Sequence, residues 1–264
     1  NWKNKRHHTV LQIEGPWHVG KTHEVKKFVY SHYKQVVYVN LVRDEYGFED
    51  LMLTDHFMRE YCRNAGIGEY VDDESTVLVI DEIQERANVY NAIRDLREQL
   101  GCDIIVSGSY LARTVNSRDF FLPAGIAYLQ MYPLSFKEFC RALNIEDILE
   151  TISLKSESKD EDYQKLEEAY QVYRKIGGYP LVVTTFIESR QIDDCMVVLE
   201  DLIRTFTAES SRFFTNSTAL SIFQEAYKAV LVQIAEEKKG TGKTFLEFVT
   251  NFVKDTVKEP VSSE

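Results

Sequence analysis

Between residues 10 and 22 the chain reads Val-Leu-Gln-Ile-Glu-Gly15-Pro16-Trp17-His18-Val19-Gly20-Lys21-Thr22, and no other stretch restricts the fold as tightly. The apolar run at 10–13 has the form of a strand. Gly15 and Gly20 then free the backbone to turn its N–H groups inward. Lys-Thr opens a helix whose buried-side positions, Val25, Phe28, Val29 and His32, recur at helical spacing. A helix entered from such a turn aims its positive end and its unpaired N–H groups into the turn, which makes a cradle for phosphate. With glycine at about 7% of residues, a match to this spacing arises by chance on the order of once in a hundred chains of this length.

Gly-x-x-x-x-Gly-Lys-Thr is the phosphate-loop (Walker A) pattern in full. Lys21 would reach the β- and γ-phosphates of a nucleoside triphosphate, and the Thr22 hydroxyl would ligate Mg2+. The nucleotide-binding set is expected to be Gly15, Pro16, Trp17, His18, Val19, Gly20, Lys21, Thr22 and His23. Its partner is Val77-Leu-Val-Ile-Asp81-Glu82, an apolar strand that ends in a carboxylate. Asp81 is placed to hold the water shell of Mg2+, and Glu82 is suited to orient or deprotonate an attacking water. Ser107-Gly-Ser109 closes a fourth strand. In P-loop ATPases whose fourth strand lies between the first and third, a polar side chain there touches the γ-phosphate or the attacking water. A plain strand-to-loop turn is the alternative, and Ser107 is the better candidate because it ends the strand directly.

Strand-like runs at 36–41, 77–80, 104–106 and 126–131 alternate with helical patterns at 51–64 and through Val89, Ile93, Leu96 and Leu100. That order predicts an α/β core with a mostly parallel sheet covered on both faces. Right-handed crossovers leave few topologies to consider; the order 5-1-4-3-2 is expected, and the run at 77–80, apolar on both faces, is central. After Pro133 the strands cease. Helical patterns follow at 135–143, through Tyr163, Leu166, Tyr170, Tyr173 and Ile176, and at 196–206, 222–234 and 245–253. The charged, serine-containing stretch 155–162 is the best linker. The expected division is a P-loop core over 1–150 and, over 151–264, a helical lid with the start of a winged-helix-like domain.

A net charge of −11 leaves no overall basic footprint for nucleic acid, so DNA is not favoured as a partner, although a total says nothing of a local patch. No apolar run approaches the length of about 18 residues that a membrane helix needs. Residues 1–8 are polar rather than signal-like, and a cytoplasmic protein without membrane partners is expected. The four cysteines are widely spaced with no C-x-x-C pair, as befits reduced thiols. His7 and His8 have no matching carboxylate or thiol spacing for a metal. Gly240-Thr-Gly-Lys243-Thr244 imitates a second phosphate loop, but position 237 is Glu and a helix precedes it, so it reads as a helix–helix turn. Nor does an Asn-Lys-x-Asp guanine reader occur, and Asp81-Glu-Ile-Gln84 lacks the glycine of Asp-x-x-Gly, which argues against a GTPase.

Taken in order, Gly-Pro-x-x-Val-Gly-Lys-Thr, Val-Ile-Asp-Glu-Ile-Gln, Ser-Gly-Ser, Tyr132-Pro-Leu-Ser-Phe-Lys-Glu-Phe139 and Ile176-Gly-Gly-Tyr-Pro180 resemble a known group. It is that of the prokaryotic AAA-family ATPases, which often carry a nuclease-like C-terminal domain. The resemblance runs from residue 10 to about 185. It implies ATP and Mg2+ as ligands, and hydrolysis coupled to a switch in an attached or partner module. It also implies that Gly178-Tyr179-Pro180 approaches the adenine, where the local reading is a helix end followed by proline. Two departures matter. Trp17-His18 stand where the family usually has Arg-Gln. Where the family often has Gly-Arg after Ser-Gly-Ser, this chain reads Pro123-Ala-Gly-Ile126. The missing arginine is the candidate for a finger acting in trans, supplied by a protein partner or a second copy. Arg113 or Arg118 could stand in, or be solvated charges. The chain also stops short of the nuclease-like portion, so a truncated or shorter member is expected. The alternatives are a non-hydrolysing ATP-binding regulatory or DNA-binding protein, and a small-molecule kinase, for which no paired arginines close over the site.

Overall fold

The computed structural model describes residues 2–3, 10–109, 120, 125–153, 155, 157–210, 221, 225 and 229. Five strands, β1 (Val10–Glu14), β2 (Gln35–Asn40), β3 (Thr76–Asp81), β4 (Asp103–Gly108) and β5 (Ile126–Gln130), form one sheet in the order β2-β3-β4-β1-β5. Every pairing is parallel. Counted from the β5 edge, this is the expected 5-1-4-3-2.

β3 and β4 are buried at every position, which is why TVLVID and DIIVSG read as near-continuous apolar runs. Side chains alternate across the sheet. Leu78, Ile80, Ile104 and Val106 pack on one face with α3 (Phe57–Asn64), α4 (Ala87–Asn91) and α5 (Ile93–Gln99). Val77, Val79, Ile105 and Ile13 pack on the other with Val25, Val29 and Tyr33, at and just beyond α1 (Lys21–His32). Each fully buried Val, Leu or Ile contributes about 1.5–3 kcal/mol, so two helix layers fix the sheet. β5, with one neighbour, is half-buried and then exposed along its length.

The single helix expected at 51–64 is two. α2 (Phe48–Leu51) ends where Thr54 gives both its N–H and its hydroxyl to the Leu51 carbonyl, each at 2.8 Å, and α3 begins at Phe57. A side chain that takes a backbone acceptor competes with the helix. The pattern ending at Leu100 likewise divides at Ala92 into α4 and α5.

Beyond β5 the described elements are all helical: α6 (Phe136–Ala142), α7 (Glu146–Thr151), α8 (Asp160–Ile176), α9 (Pro180–Ser189) and α10 (Ile192–Ser210). α6 starts on a reciprocal cap. The Ser135 hydroxyl accepts the Glu138 N–H at 3.3 Å, and Glu138 Oε2 accepts the Ser135 N–H at 2.8 Å. The sequence reading assigns no helix to 180–189, and its Val182-Val183-Thr184-Thr185 run is β-branched, with little local preference for one. Burial decides otherwise. Pro180 opens the first turn, and Val182, Val183 and Phe186 enter a third core with Phe139, Ile176 and Cys195.

The chain divides into two compact units, Asn1–Phe206 and Thr207–Glu264. In the second, the described residues 207–210, 221, 225 and 229 are helical. The winged-helix expectation, all of 222–234 except residues 225 and 229, the pattern at 245–253 and the Gly240 cluster lie outside the described residues, as do His7, His8, Arg113 and Arg118. All four cysteines are buried and free of disulfides. Among the described residues no helix is long and apolar enough to cross a membrane.

Candidate functional site

Parallel strands release their C-terminal ends on one edge, and crevices at that edge are where open α/β sheets bind ligands. Here Glu14 of β1 lies beside Gly108 of β4, and Asp81 ends β3 two strands away. From Glu14 the chain turns through residues 15–20 into α1. A methyl group on Gly15 would sit 2.3 Å from the Met131 carbonyl oxygen, so only glycine fits. His18 and Gly20 take left-handed backbone, at φ 62° and 94°. Lys21 is buried, and its Nζ folds back to donate to the carbonyls of Gly15 at 3.1 Å and Pro16 at 2.8 Å. Burial lowers its pKa, against the pull of Glu82 and Asp81.

Asp81 is buried at the centre of the site and held on both oxygens. Oδ2 accepts the Thr22 hydroxyl at 2.7 Å and the Tyr38 hydroxyl at 2.6 Å. Oδ1 accepts the Ser107 hydroxyl and, at 3.1 Å, the Glu82 N–H. Sequence reasoning singled out Thr22, Asp81 and Ser107 but not Tyr38. Nothing in the residues around Tyr38 signals it. Only the β2–β3 register, with Tyr38 beside Val79 and Asn40 beside Asp81, brings it within reach. Lys26 Nζ sits 4.2 Å over the Tyr38 ring. Burial first, then the bond to Asp81, push the phenol up, so it keeps its proton and donates a hydrogen bond to Asp81.

Glu82 is half-buried and takes left-handed backbone, φ 57° and ψ 43°. Its Oε2 accepts the Gln84 Nε2 at 2.5 Å, while Gln84 Oε1 accepts the Ser109 N–H at 3.1 Å. Burial pushes the Glu82 carboxyl up; Asp81 adds to the shift, and the Gln84 bond and Lys21 oppose it. Gln84 stands inside the Asp-Glu-Ile-Gln motif, but a motif position does not say what an amide will touch.

Trp17 is half-buried and meets Phe206 of α10 edge to face, ring centroids 5.4 Å apart. Val19 is buried, and His18 and His23 are exposed, with His23 Nε2 3.9 Å from Glu24. Gly178 lies so close to Leu134 that a methyl group there would be 1.9 Å from the Leu134 carbonyl oxygen. Tyr179 packs on the third core, and Pro180 Cγ is 3.9 Å from where a side chain on Gly20 would begin. The Gly178–Pro180 segment therefore abuts the phosphate loop. An all-oxygen pair, one hydroxyl and one carboxylate, fits Mg2+ shared with phosphate, and a loop closed by a buried ammonium fits the phosphate.

A family model described as an AAA domain matches residues 7–140, just over half of the chain. The chain belongs to the AAA family of P-loop ATPases. Membership makes it an ATPase-type nucleotide-binding domain. An uncharacterized protein of Haemophilus influenzae is 29% identical to this AAA chain over 110 residues, covering 42% of the chain and 24% of that relative. Among solved structures it is similar to Drosophila ORC bound to DNA, at 14% identity and TM-score 0.39 over 74% of the chain and 62% of that one. It is also similar to the Thermotoga maritima RuvB Holliday junction branch migration motor, at 17% identity and TM-score 0.33 over 74% and 62%. The AAA chain thus spans about a quarter of the curated relative and less than two thirds of these solved chains.

Proposed function

We propose that this AAA domain binds ATP with Mg2+ and hydrolyses it to ADP and phosphate, and that the cycle switches the helical region or a partner module. The observation that carries this is a hydroxyl and a carboxylate, Thr22 and Asp81, 2.7 Å apart, with Glu82 following and buried Lys21 nearby. Gly15, Gly20 and the start of α1 cradle the phosphates, and Lys21 Nζ exchanges the loop carbonyls for β- and γ-phosphate oxygens. Thr22, and Asp81 through water, would hold Mg2+, which when bound would neutralise charge on those oxygens. Glu82 takes a proton from water as the water oxygen attacks the γ-phosphorus and the bond to the ADP oxygen breaks. Ser107 acts through Asp81, whose orientation it fixes. Gly178, Tyr179 and Pro180 cover the adenine.

The third hydrophobic core, built from residues of the helical region, supports reading it as a lid distinct from the sheet core. With a net charge of −11, a protein partner or a second copy lending an arginine in trans is preferred to DNA. Lys21→Ala is expected to abolish Mg-ATP binding. Glu82→Gln is expected to keep binding and trap ATP, read as bound nucleotide against phosphate release. Turnover untouched by Glu82→Gln sinks the hydrolytic mechanism. A specific rate that rises with protein concentration supports the trans arginine, and a flat one removes it.

A further inference from the structure

Gln84 takes no part in the chemistry above, yet both ends of its side chain are committed. It is 5% exposed, its Nε2 donates to Glu82 Oε2 at 2.5 Å, and its Oε1 accepts the backbone N–H of Ser109 at 3.1 Å. The space around it is committed as well. A methyl group added to Gly108 would lie 2.3 Å from Gln84 Oε1 and 3.0 Å from Ile83 Cγ2. The amide therefore bridges the residue after β3 to the chain leaving β4, and a glycine at the end of β4 makes room for it.

Glu82 needs such a hold. Its φ of 57° is left-handed, a region that a residue with a long side chain occupies only when its surroundings impose it. Its own N–H is fixed on Asp81 at 3.1 Å, so the backbone is anchored. What remains free is the rotation of the side chain, and a base that rotates away from its water is not a base. One amide N–H on Oε2 removes that freedom and leaves Oε1 for water. The other end of the amide links the setting of Glu82 to the Ser107–Ser109 turn, whose first hydroxyl is on Asp81.

We propose that Gln84 is a positioning residue that orients the Glu82 carboxylate for attack by water and ties it to the end of β4. This rests on Glu82 acting as the base in ATP hydrolysis. In the full chain, Gln84→Ala and the similar-sized Gln84→Met are expected to lower kcat at least about ten-fold while KM and Mg-ATP affinity stay within about two-fold. Gly108→Ala keeps every polar group but pushes the amide aside, and it is expected to reproduce the loss. Because Gln84→Ala clears the space that the new methyl would enter, the double variant Gln84→Ala/Gly108→Ala is expected to lose no more than Gln84→Ala alone. Hydrogen exchange at the Ser109 amide, faster in each variant, reports the bridge independently of turnover. The proposal is overturned if Gln84→Met keeps the wild-type kcat, if the two single losses multiply, or if Ser109 stays protected. Unchanged kcat in Gln84→Ala beside an inactive Glu82→Gln defeats this proposal alone. A wild-type chain that binds ATP and releases no phosphate defeats the hydrolytic reading with it.

Discussion

Trp17, in the phosphate loop, and Phe206, near the end of α10, meet with ring planes 65° apart and centroids at 5.4 Å. The loop is thereby in contact with a helix that runs on to Ser210. Edge-to-face aromatic pairs contribute about 0.5–1.5 kcal/mol beyond the area they bury. Urea unfolding of Trp17→Ala, Phe206→Ala and the double variant should give a coupling energy in that range. Strict additivity would mean that the contact does not tie the loop to α10.

Tyr38 predicts a loss that no motif would suggest. Its hydroxyl is one of four donors to Asp81, beside Thr22, Ser107 and the Glu82 N–H. A hydrogen bond to a charged group is worth about 1.5–3 kcal/mol. Tyr38→Phe keeps the ring under Lys26 and removes only the donor, so the nucleotide-free chain should lose stability of that order in urea. If the midpoint is unmoved, Asp81 does not depend on Tyr38.

The raised pKa of Glu82 sets the sign of a pH dependence. Burial is its main cause, with Asp81 adding and the Gln84 bond and Lys21 opposing. The carboxylate form is the competent base, so kcat should be low below the folded pKa and rise as pH passes it. The acid limb of kcat at saturating Mg-ATP is expected above the ordinary Glu range of about 4.3. Removing the opposing bond in Gln84→Ala should move the limb further up. Folding carries the matching linkage: the contribution of Glu82 to stability is present below its unfolded pKa and lost as pH rises through the folded one. An acid limb at or below the ordinary range would assign the base elsewhere.

Much of the site was legible because its residues sit in contiguous motifs at strand ends. Parallel pairing alone then brings Lys21, Thr22, Asp81, Glu82 and Ser107 to one edge of the sheet. What stayed hidden depends on contacts between distant segments. Tyr38 reaches Asp81 only through the β2–β3 register, and the hydroxyl of Ser107 turns to Asp81 across 26 residues. α9 was hidden because the local preference of its Val-Val-Thr-Thr run opposes the helix that burial imposes. The break between α2 and α3 rests on Thr54, a single hydroxyl that the apolar periodicity does not register.

Two adjacent glycines stand between α8 and Pro180, the residue that abuts the phosphate loop, and each is there for a different physical reason. Gly177 ends α8 at φ 72°, with nothing near the position of a side chain, so its demand is on the backbone. Gly178 is there for space. A methyl group would stand 1.9 Å from the Leu134 carbonyl oxygen, which also accepts the Tyr173 hydroxyl at 2.7 Å, and the Leu134 N–H donates back to Gly178 at 2.6 Å. Gly178→Ala must therefore part the two segments, at a cost of about 1–3 kcal/mol for overpacking. Because Pro180 follows two residues on and lies against Gly20, the same displacement should lift Pro180 from the loop and weaken Mg-ATP binding several-fold. Tyr173→Phe removes the hydroxyl bond without forcing the segments apart, so it should lose stability while keeping nucleotide affinity. Equal affinity loss in both variants would show that binding follows general stability rather than the seat of Pro180 on Gly20.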